Sequence, residues 1–380
     1  MTKPKIRFKA GDGSAFPDWE EKSLSEIFTE RAETSVISDD APLLSFTIEQ
    51  GVINPEDKKS NKRDFLMKDK ESKKFAVTEL NDIIYNPANL KFGAIHRNKL
   101  GRGVVSPIYA IFRTEQNPVF MECVVRNPAF IKKSLTFLEG TVEKLKTLKP
   151  RDFLRMKVFI PSLPEQQKIA DFLSNVDEVI AASEEEAANL EQQKKAVMQK
   201  IFSQEVRFKK EDGSDFPDWE EKKIGDILSL CHGKDYKRLG AGNIPVMGTG
   251  GIIAYVDKAL CNWECVCIGR KGTIDKPYYM NVPFWSVDTL FYSKPKPENF
   301  PKFQYFLFQN INWLFYNEAS GVPSLSASTI EKIKVNIPSF PEQQKIADFL
   351  TSYDEAITAA KQELAKWKEL KKGLLQQMFV

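Results

Sequence analysis

The chain has 380 residues, 42% of them hydrophobic, with 55 Lys and Arg against 52 Asp and Glu for a formal charge of +3. That length predicts about two to three domains. No run reaches the ~18 apolar residues of a membrane span, the opening MTKPKIRFK lacks a signal-peptide core, and five cysteines without framework spacing argue against a disulfide scaffold, so a soluble, reduced, cytoplasmic chain is expected.

The first block, Ile6 to Phe28, returns almost unchanged at Val206 to Leu228, an offset of 200. Its shared core, DGSxFPDWEEK, contains the letters of a PD-(D/E)xK nuclease site at Pro17, Asp18, Glu20 and Lys22. The spacing defeats that reading, because metal-sharing carboxylates come from neighbouring strands and here one residue separates Asp18 from Glu20. A turn at Asp12-Gly13 followed by packed Phe16 and Trp19 is predicted instead.

Residues 29–159 form the first insert and hold 23 basic and 17 acidic side chains. Lys91, His96, Arg97, Asn98, Lys99 and Arg102 sit on glycine-bearing stretches around Gly93, Gly101 and Gly103. Basic and amide side chains on such loops can approach phosphates and reach base edges, where Arg reads guanine and Asn or Gln reads adenine. Asn86-Pro87-Ala88 and Asn127-Pro128-Ala129 approach the Asn-Pro-Pro-aromatic motif of adenine methyltransferases but lack its second proline, and no glycine-rich methyl-donor loop is visible.

The second repeated block, Ile160 to Ile180, returns at Ile337 to Ile357, an offset of 177. Ser162-Leu163-Pro164-Glu165, echoed by Ser339, Pro341 and Glu342, has the form of a capping box with proline in the first turn. Apolar positions then alternate at four and three: Ile169, Leu173, Val176, Ile180, Ser183, Ala187, Leu190, Lys194, Val197 and Ile201. The second copy runs Ile346, Leu350, Tyr353, Ile357, Ala360, Leu364, Trp367, Lys371, Leu374 and Met378. A 3.5 period held over more than four heptads predicts a coiled-coil seam on helices about 57 Å long. Antiparallel pairing with opposed numbers summing to about 547 puts Ile180 against Trp367 and Leu190 against Ile357. It also puts Lys194 against Tyr353 and Lys371 against Val176, with both ammoniums snorkelling outward.

The second insert, 229–336, carries 12 basic and 8 acidic residues and no obvious likeness to the first. The two inserts are therefore net basic while the repeated frame is net acidic, which is compatible with a polyanionic partner. Gly248-Thr249-Gly250-Gly251 reads as a hairpin turn rather than a dinucleotide fingerprint. Cys265 and Cys267 alternate in an apolar run and read as a buried strand face, although Cys261 and Cys231-His232 leave zinc as the alternative. Arg270, Lys271 and Thr273, with Ser324 and Ser326 further on, are the second insert's candidate DNA contacts. No ATP-binding GxxxxGK[ST] loop occurs anywhere.

Two basic inserts set in a duplicated helical frame resemble the specificity subunits of type I restriction–modification systems over the whole chain. The resemblance rests on IPSLPEQQKIADFL and IPSFPEQQKIADFL, on MGTGGIIAYVDKA, IGRKGTIDKPYY and PFWSVDTLFY, and, in the first insert, on GRGVVSPIYAIF alone. It implies an α+β chain with two α/β target-recognition domains joined by a long antiparallel two-helix coiled coil, in a pseudo-twofold repeat. The expected boundaries are 1–159, 160–202, 203–336 and 337–380. The implied function is non-catalytic: double-stranded DNA read as a split site, one half per insert, by a subunit that holds two adenine methyltransferase subunits and, through them, motor–nuclease subunits. S-adenosylmethionine, ATP and Mg²⁺ are expected in those partners. The alternatives are a coiled-coil scaffold for proteins alone, which sequence-specific DNA binding would exclude, and a stand-alone DNA-modifying enzyme, which the absent motifs oppose.

Overall fold

The computed structural model describes residues 4–58, 73–138 and 147–379. They divide into two compact α+β units, Met1–Ala182 with Leu364–Val380, and Ser183–Glu363. The division falls inside both long helices, Leu163–Phe202 and Phe340–Met378, so each unit holds one half of each. Among the described residues no helix is long and apolar enough to cross a membrane.

In the first unit the two repeated blocks close on each other. Strand Glu20–Ser23 pairs antiparallel with Lys157–Ile160, Glu20 opposite Ile160. In the second unit Glu220–Lys223 pairs with Lys334–Ile337 in the same register, Glu220 opposite Ile337. Each insert therefore leaves and re-enters its frame at one two-stranded neck.

Inside the neck the four-stranded sheets of the two inserts share a strand order that their sequences hide, while the smaller sheets around them differ. The first has an antiparallel sheet ordered Phe28–Glu30, Ala110–Thr114, Ile83–Tyr85, Ile95–Arg97. The second is ordered Leu228–His232, Leu290–Pro295, Cys265–Gly269, Tyr278–Met280, with every pairing again antiparallel. In each, a helix opening on proline follows the second strand of that order, Pro118–Arg126 in one and Pro301–Asn310 in the other. Their cores are aromatic. Tyr85, Phe112 and Phe153 stack at 4.9–6.0 Å between centroids in the first unit, and the Tyr85 hydroxyl donates to Leu148 O at 2.9 Å. Phe291, Phe303, Phe306 and Trp313 fill the second together with Ile346 and Leu350 of the long helix.

The starts of the long helices depart from the predicted capping boxes. Glu165 and Glu342 turn inward, are fully buried, and do not reach back to a serine. Each takes a forked pair of bonds from an arginine of the first block. Arg7 donates Nε to Glu165 Oε1 at 3.0 Å and Nη2 to Oε2 at 2.7 Å, and Arg207 does the same to Glu342 at 3.3 and 2.9 Å. The same Nη2 atoms donate to Pro17 O and Pro217 O, both at 2.6 Å. A planar guanidinium suits this, since one rigid fork satisfies a buried carboxylate and a chain turn together. The Ser339 hydroxyl is left buried without a partner.

The next residue, glutamine, ties the frame to the insert. Gln166 Nε2 donates to Pro161 O and Gln116 Oε1, while its Oε1 accepts from Asn117 N at 3.1 Å. Gln343 likewise donates to Pro338 O and accepts from Phe300 N at 2.8 Å. Asn117 and Phe300 precede the prolines that open the insert helices, so one buried side chain per unit orients the insert's main helix on the frame. The PDW residues are structural as well: Asp18 pairs with Arg7 at 3.6 Å, and Trp19 lies edge-on to Phe120 at 5.8 Å.

Along the seam, Ile169, Leu173, Val176, Ile201, Ile346, Leu350 and Ile357 are buried, as is Ala187. Ile180, Leu190, Val197, Tyr353, Leu364 and Trp367 are half-buried. In the second unit Lys194 meets Asp354 at 2.6 Å and Lys361 meets Glu191 at 2.5 Å, so the numbering rises on one helix as it falls on the other. In the first unit Lys371 pairs with Asp177, the same pair moved by the 177-residue repeat. Lys194 therefore does not snorkel into water as predicted, whereas Lys371 stays partly exposed at its pair. Lys194 is 9% exposed, bonded to Asp354 and to Gln309 at 3.1 Å, with its ammonium 5.0 Å from the Phe306 ring. A buried ammonium needs a paired carboxylate, and the register supplies it one residue beyond the expected neighbour.

Candidate nucleic-acid interface

In the second unit four of the five predicted residues come together. Strand Cys265–Gly269 ends at Gly269, where a Cβ would overlap the Thr273 carbonyl oxygen, and the turn then passes through Gly272 at φ +100°. These two glycines let the chain double back immediately after the buried strand, which puts Arg270 and Lys271 on the outside. The turn is fixed from both sides: Arg270 N and Lys271 N donate to Thr289 O at 2.8 and 3.2 Å, and Leu325 N donates to Arg270 O at 2.9 Å. Lys271 also bridges Ser324.

An open groove of about 910 Å³ results, with Arg270, Lys271, Ser324 and Ser326 in its walls. Arg270 Nη1 donates to Asp288 O at 3.3 Å. Ser326 caps the helix Ala327–Lys332, its hydroxyl accepting from Thr329 N at 3.1 Å. Thr273 is half-buried and does not line the groove. Two carboxylates that the sequence did not single out, Asp288 and Glu318, share the walls. The groove thus presents fixed donors and fixed acceptors side by side.

In the first unit the predicted set separates. His96 and Asn98 are buried, correcting their assignment as displayed contacts. The His96 ring lies edge-on to Phe46 at 5.7 Å with Nε2 2.7 Å from Ile48 O, and burial, with Arg126 nearby, lowers its pKa. Asn98 organises the turn after its strand: its amide donates to Thr78 Oγ1 and Gly101 O, and its carbonyl accepts from Leu100 N. A strand alternates its faces, and next to exposed loop residues these two polar side chains serve the backbone instead.

Arg102 is tied to Glu33 and Glu79. Lys91 is exposed on a short turn, its ammonium 5.1 Å from the exposed Phe92 ring. Arg97 donates to Asn81 Oδ1 at 2.7 Å and to Glu122 at 3.3 Å. With the exposed Lys99 it lines a second groove of about 820 Å³, to which Arg126 and, from the long helix, Lys368, Lys371 and Lys372 also belong. Arg126, Lys368 and Lys372 escaped the sequence reading, and Lys371 was read only as a seam position, because only the fold brings them beside Arg97.

The motifs set aside as structural have local roles. Asn86 and Asn127 cap turns, their side chains accepting from Ala88 N at 3.0 Å and Ala129 N at 2.8 Å. Gly248 and Gly251 pair across a hairpin. Cys261, Cys265 and Cys267 are buried in one apolar cluster with Met247, Phe284 and Tyr292. Among the described residues no group of three or more His, Cys, Asp or Glu is arranged to hold a metal.

Comparison with known proteins fits this architecture. The profile of the type I restriction modification DNA specificity domain family matches residues 122–192 and 217–367, more than half of the chain. The chain is 23% identical over 267 residues to the type I restriction enzyme MjaVIII specificity subunit of Methanocaldococcus jannaschii, covering 59% of this chain and 61% of that one. It is 24% identical over 245 residues to a putative MjaX specificity subunit of the same organism, covering 58% and 57%. The matches thus span about three-fifths of the length of these curated relatives. In fold, the S subunit of a type I restriction–modification system from M. genitalium superposes with a TM-score of 0.63 at 17% identity, over 100% of this chain and 99% of that one. A chain from a structural study of complex assembly and conformational transition in a type I R-M system gives 0.55 at 14% identity, over 96% and 98%. The chain belongs to the type I restriction–modification DNA specificity family.

Proposed function

We propose that this chain is the non-catalytic specificity subunit of a type I restriction–modification complex. It reads a bipartite double-stranded DNA site, one half per insert, and holds two adenine methyltransferase subunits and, through them, the motor–nuclease subunits. S-adenosylmethionine, ATP and Mg²⁺ act in those partners, and the complex works in the cytoplasm. The observation that carries this reading is the pair of inserts built on four-stranded sheets of one strand order, each closed by the same two-stranded neck in the same register. A frame that holds two divergent sheets identically is suited to presenting two different readers.

The groove in the second unit supports a reader of base edges. Lys271 serves as a phosphate contact and Arg270 as a donor to guanine, while Ser324 and Ser326 shape the floor. For the first half-site Lys91, Arg97, Lys99 and Arg102 remain contacts, and His96 and Asn98 support them from inside. The half-buried seam residues, Ile180, Leu364 and Trp367 in one unit and Leu190 and Tyr353 in the other, leave apolar surface on the long helices for the methyltransferase subunits.

Mapping methylated adenines in cells with and without this gene tests the proposal. Methylation at one split sequence that disappears with the gene is expected. An unchanged methylation pattern, together with no sequence selection from a randomised duplex pool by the purified subunit and its methyltransferase partner, would overturn it.

A further inference from the structure

The Glu318 carboxylate, being acceptor-only, is chemically unsuited to phosphate contact. It stands in the groove wall with Arg270 and Lys271, and its side-chain hydrogen bonds come from neutral hydroxyls. Its Oε1 accepts from the Ser326 hydroxyl at 2.9 Å and from the Thr329 hydroxyl. Those two hydroxyls lie 2.9 Å apart, and Ser326 Oγ is itself fixed by capping Thr329 N. The main chain at Glu318 is equally constrained: its N–H donates to Ser324 O at 3.0 Å, and Asn317 Oδ1 accepts from Ala319 N and Ser324 N at 3.2 and 2.9 Å. The carboxylate is therefore held in one orientation by neutral donors.

Resting on the DNA-reading proposal above, we infer that Glu318 is a specificity residue of the second insert that accepts a hydrogen bond from the N4 amino group of a cytosine. An ionised carboxylate is acceptor-only, with about four acceptor sites, and the two hydroxyls use two. The same hydroxyls, Thr329 first and then Ser326, hold its carboxyl below the usual range, so it enters a complex charged.

Phosphates and sugars of DNA give such a group no N–H donor. In the major groove the available donors are the amino groups of cytosine and adenine. Adenine sets its N7 acceptor beside that amino group, against a carboxylate, whereas cytosine does not. Guanine or thymine leaves a desolvated carboxylate unpaired, which is costly. Arg270 supplies the opposite element in the same walls, so donor and acceptor are presented together.

The test selects duplexes from a pool randomised over the second half-site, using the full chain with its methyltransferase partner. Wild type, E318Q and T329V are compared, with unfolding midpoints followed in parallel. Glutamine keeps the Oε1 acceptor for both hydroxyls and so preserves the loop, while losing the charge and gaining a donor. Expected for E318Q is loss of the cytosine preference at one position by about ten-fold or more, with a gain for adenine, and no change elsewhere in either half-site. T329V, which removes one of the two hydroxyls that orient the carboxylate, weakens the same preference. If wild type selects no sequence, the DNA-reading proposal itself fails. If wild type selects a split site and E318Q and T329V select the same one, Glu318 only anchors its loop and this inference is overturned.

Discussion

Arg207→Ala tests how the duplicated frame is held together. Glu342 is fully buried, and its forked partner is the Arg207 guanidinium, whose side chain is 24% exposed. Breaking a buried pair from one side strands a charge and costs ~3–5 kcal/mol. Water entering at the exposed edge of the removed guanidinium places the expected loss near the lower bound, about 3 kcal/mol. Loss of the bond to Pro217 O loosens the DGS turn besides. For a unit of this size the midpoint falls by roughly 6–12 °C, at ~2–4 °C per kcal/mol.

Urea and thermal unfolding of the full chain, with Arg207→Met, Glu342→Leu and their combination, complete the assay. The double variant should recover most of the loss, because a packed apolar pair removes the stranded charge, giving a coupling energy above about 1 kcal/mol. The repeat supplies an internal control: Arg7→Ala, against Glu165, should lower stability by a similar amount through the other unit. A loss below about 0.5 kcal/mol in both arginine variants, or additive double variants, would refute the argument that this pair joins block to helix.

Exchanging residues 29–159 for another insert of the family should change one half-site and leave the other intact, because strand Glu20–Ser23 and Ile160 stay in place and the last three residues of the new insert take over the backbone pairing of Lys157–Phe159; methylome mapping reads the outcome. Lys271→Ala should weaken binding to all sequences and reduce the salt slope by about one, whereas Arg270→Ala should cost ~1–3 kcal/mol at a single base position; titrations on target and scrambled duplexes across a salt series separate the two. His96 has its pKa lowered by burial, so the folded chain binds this proton less readily than the unfolded chain. The first unit's stability should therefore be complete above about pH 6.5 and fall as the pH drops below it, and His96→Gln should flatten that part of the urea-unfolding profile against pH.

Much of this architecture was readable in the chain, because repetition and periodicity are one-dimensional signals. The offsets of 200 and 177 marked the frame, and the 3.5 period marked both long helices. The turns at Gly269 and Gly272 left their residue types in the sequence, so the exposed placement of Arg270 and Lys271 was legible there. Other features depended on which side chain finds which partner across the fold. Glu165 looked like half of a capping box and became the buried partner of Arg7, 158 residues away. His96 and Asn98 have the chemistry of DNA contacts, and only the closing of strands over them decides that it is spent on Ile48, Thr78 and Gly101. Glu318 carried no motif at all, since its meaning lies in hydroxyls eight and eleven residues on. The common strand order of the two four-stranded sheets was hidden most deeply. A half-buried sheet demands only alternation and volume, which many sequences supply, so two unrelated stretches take one strand order once the frame has joined their ends.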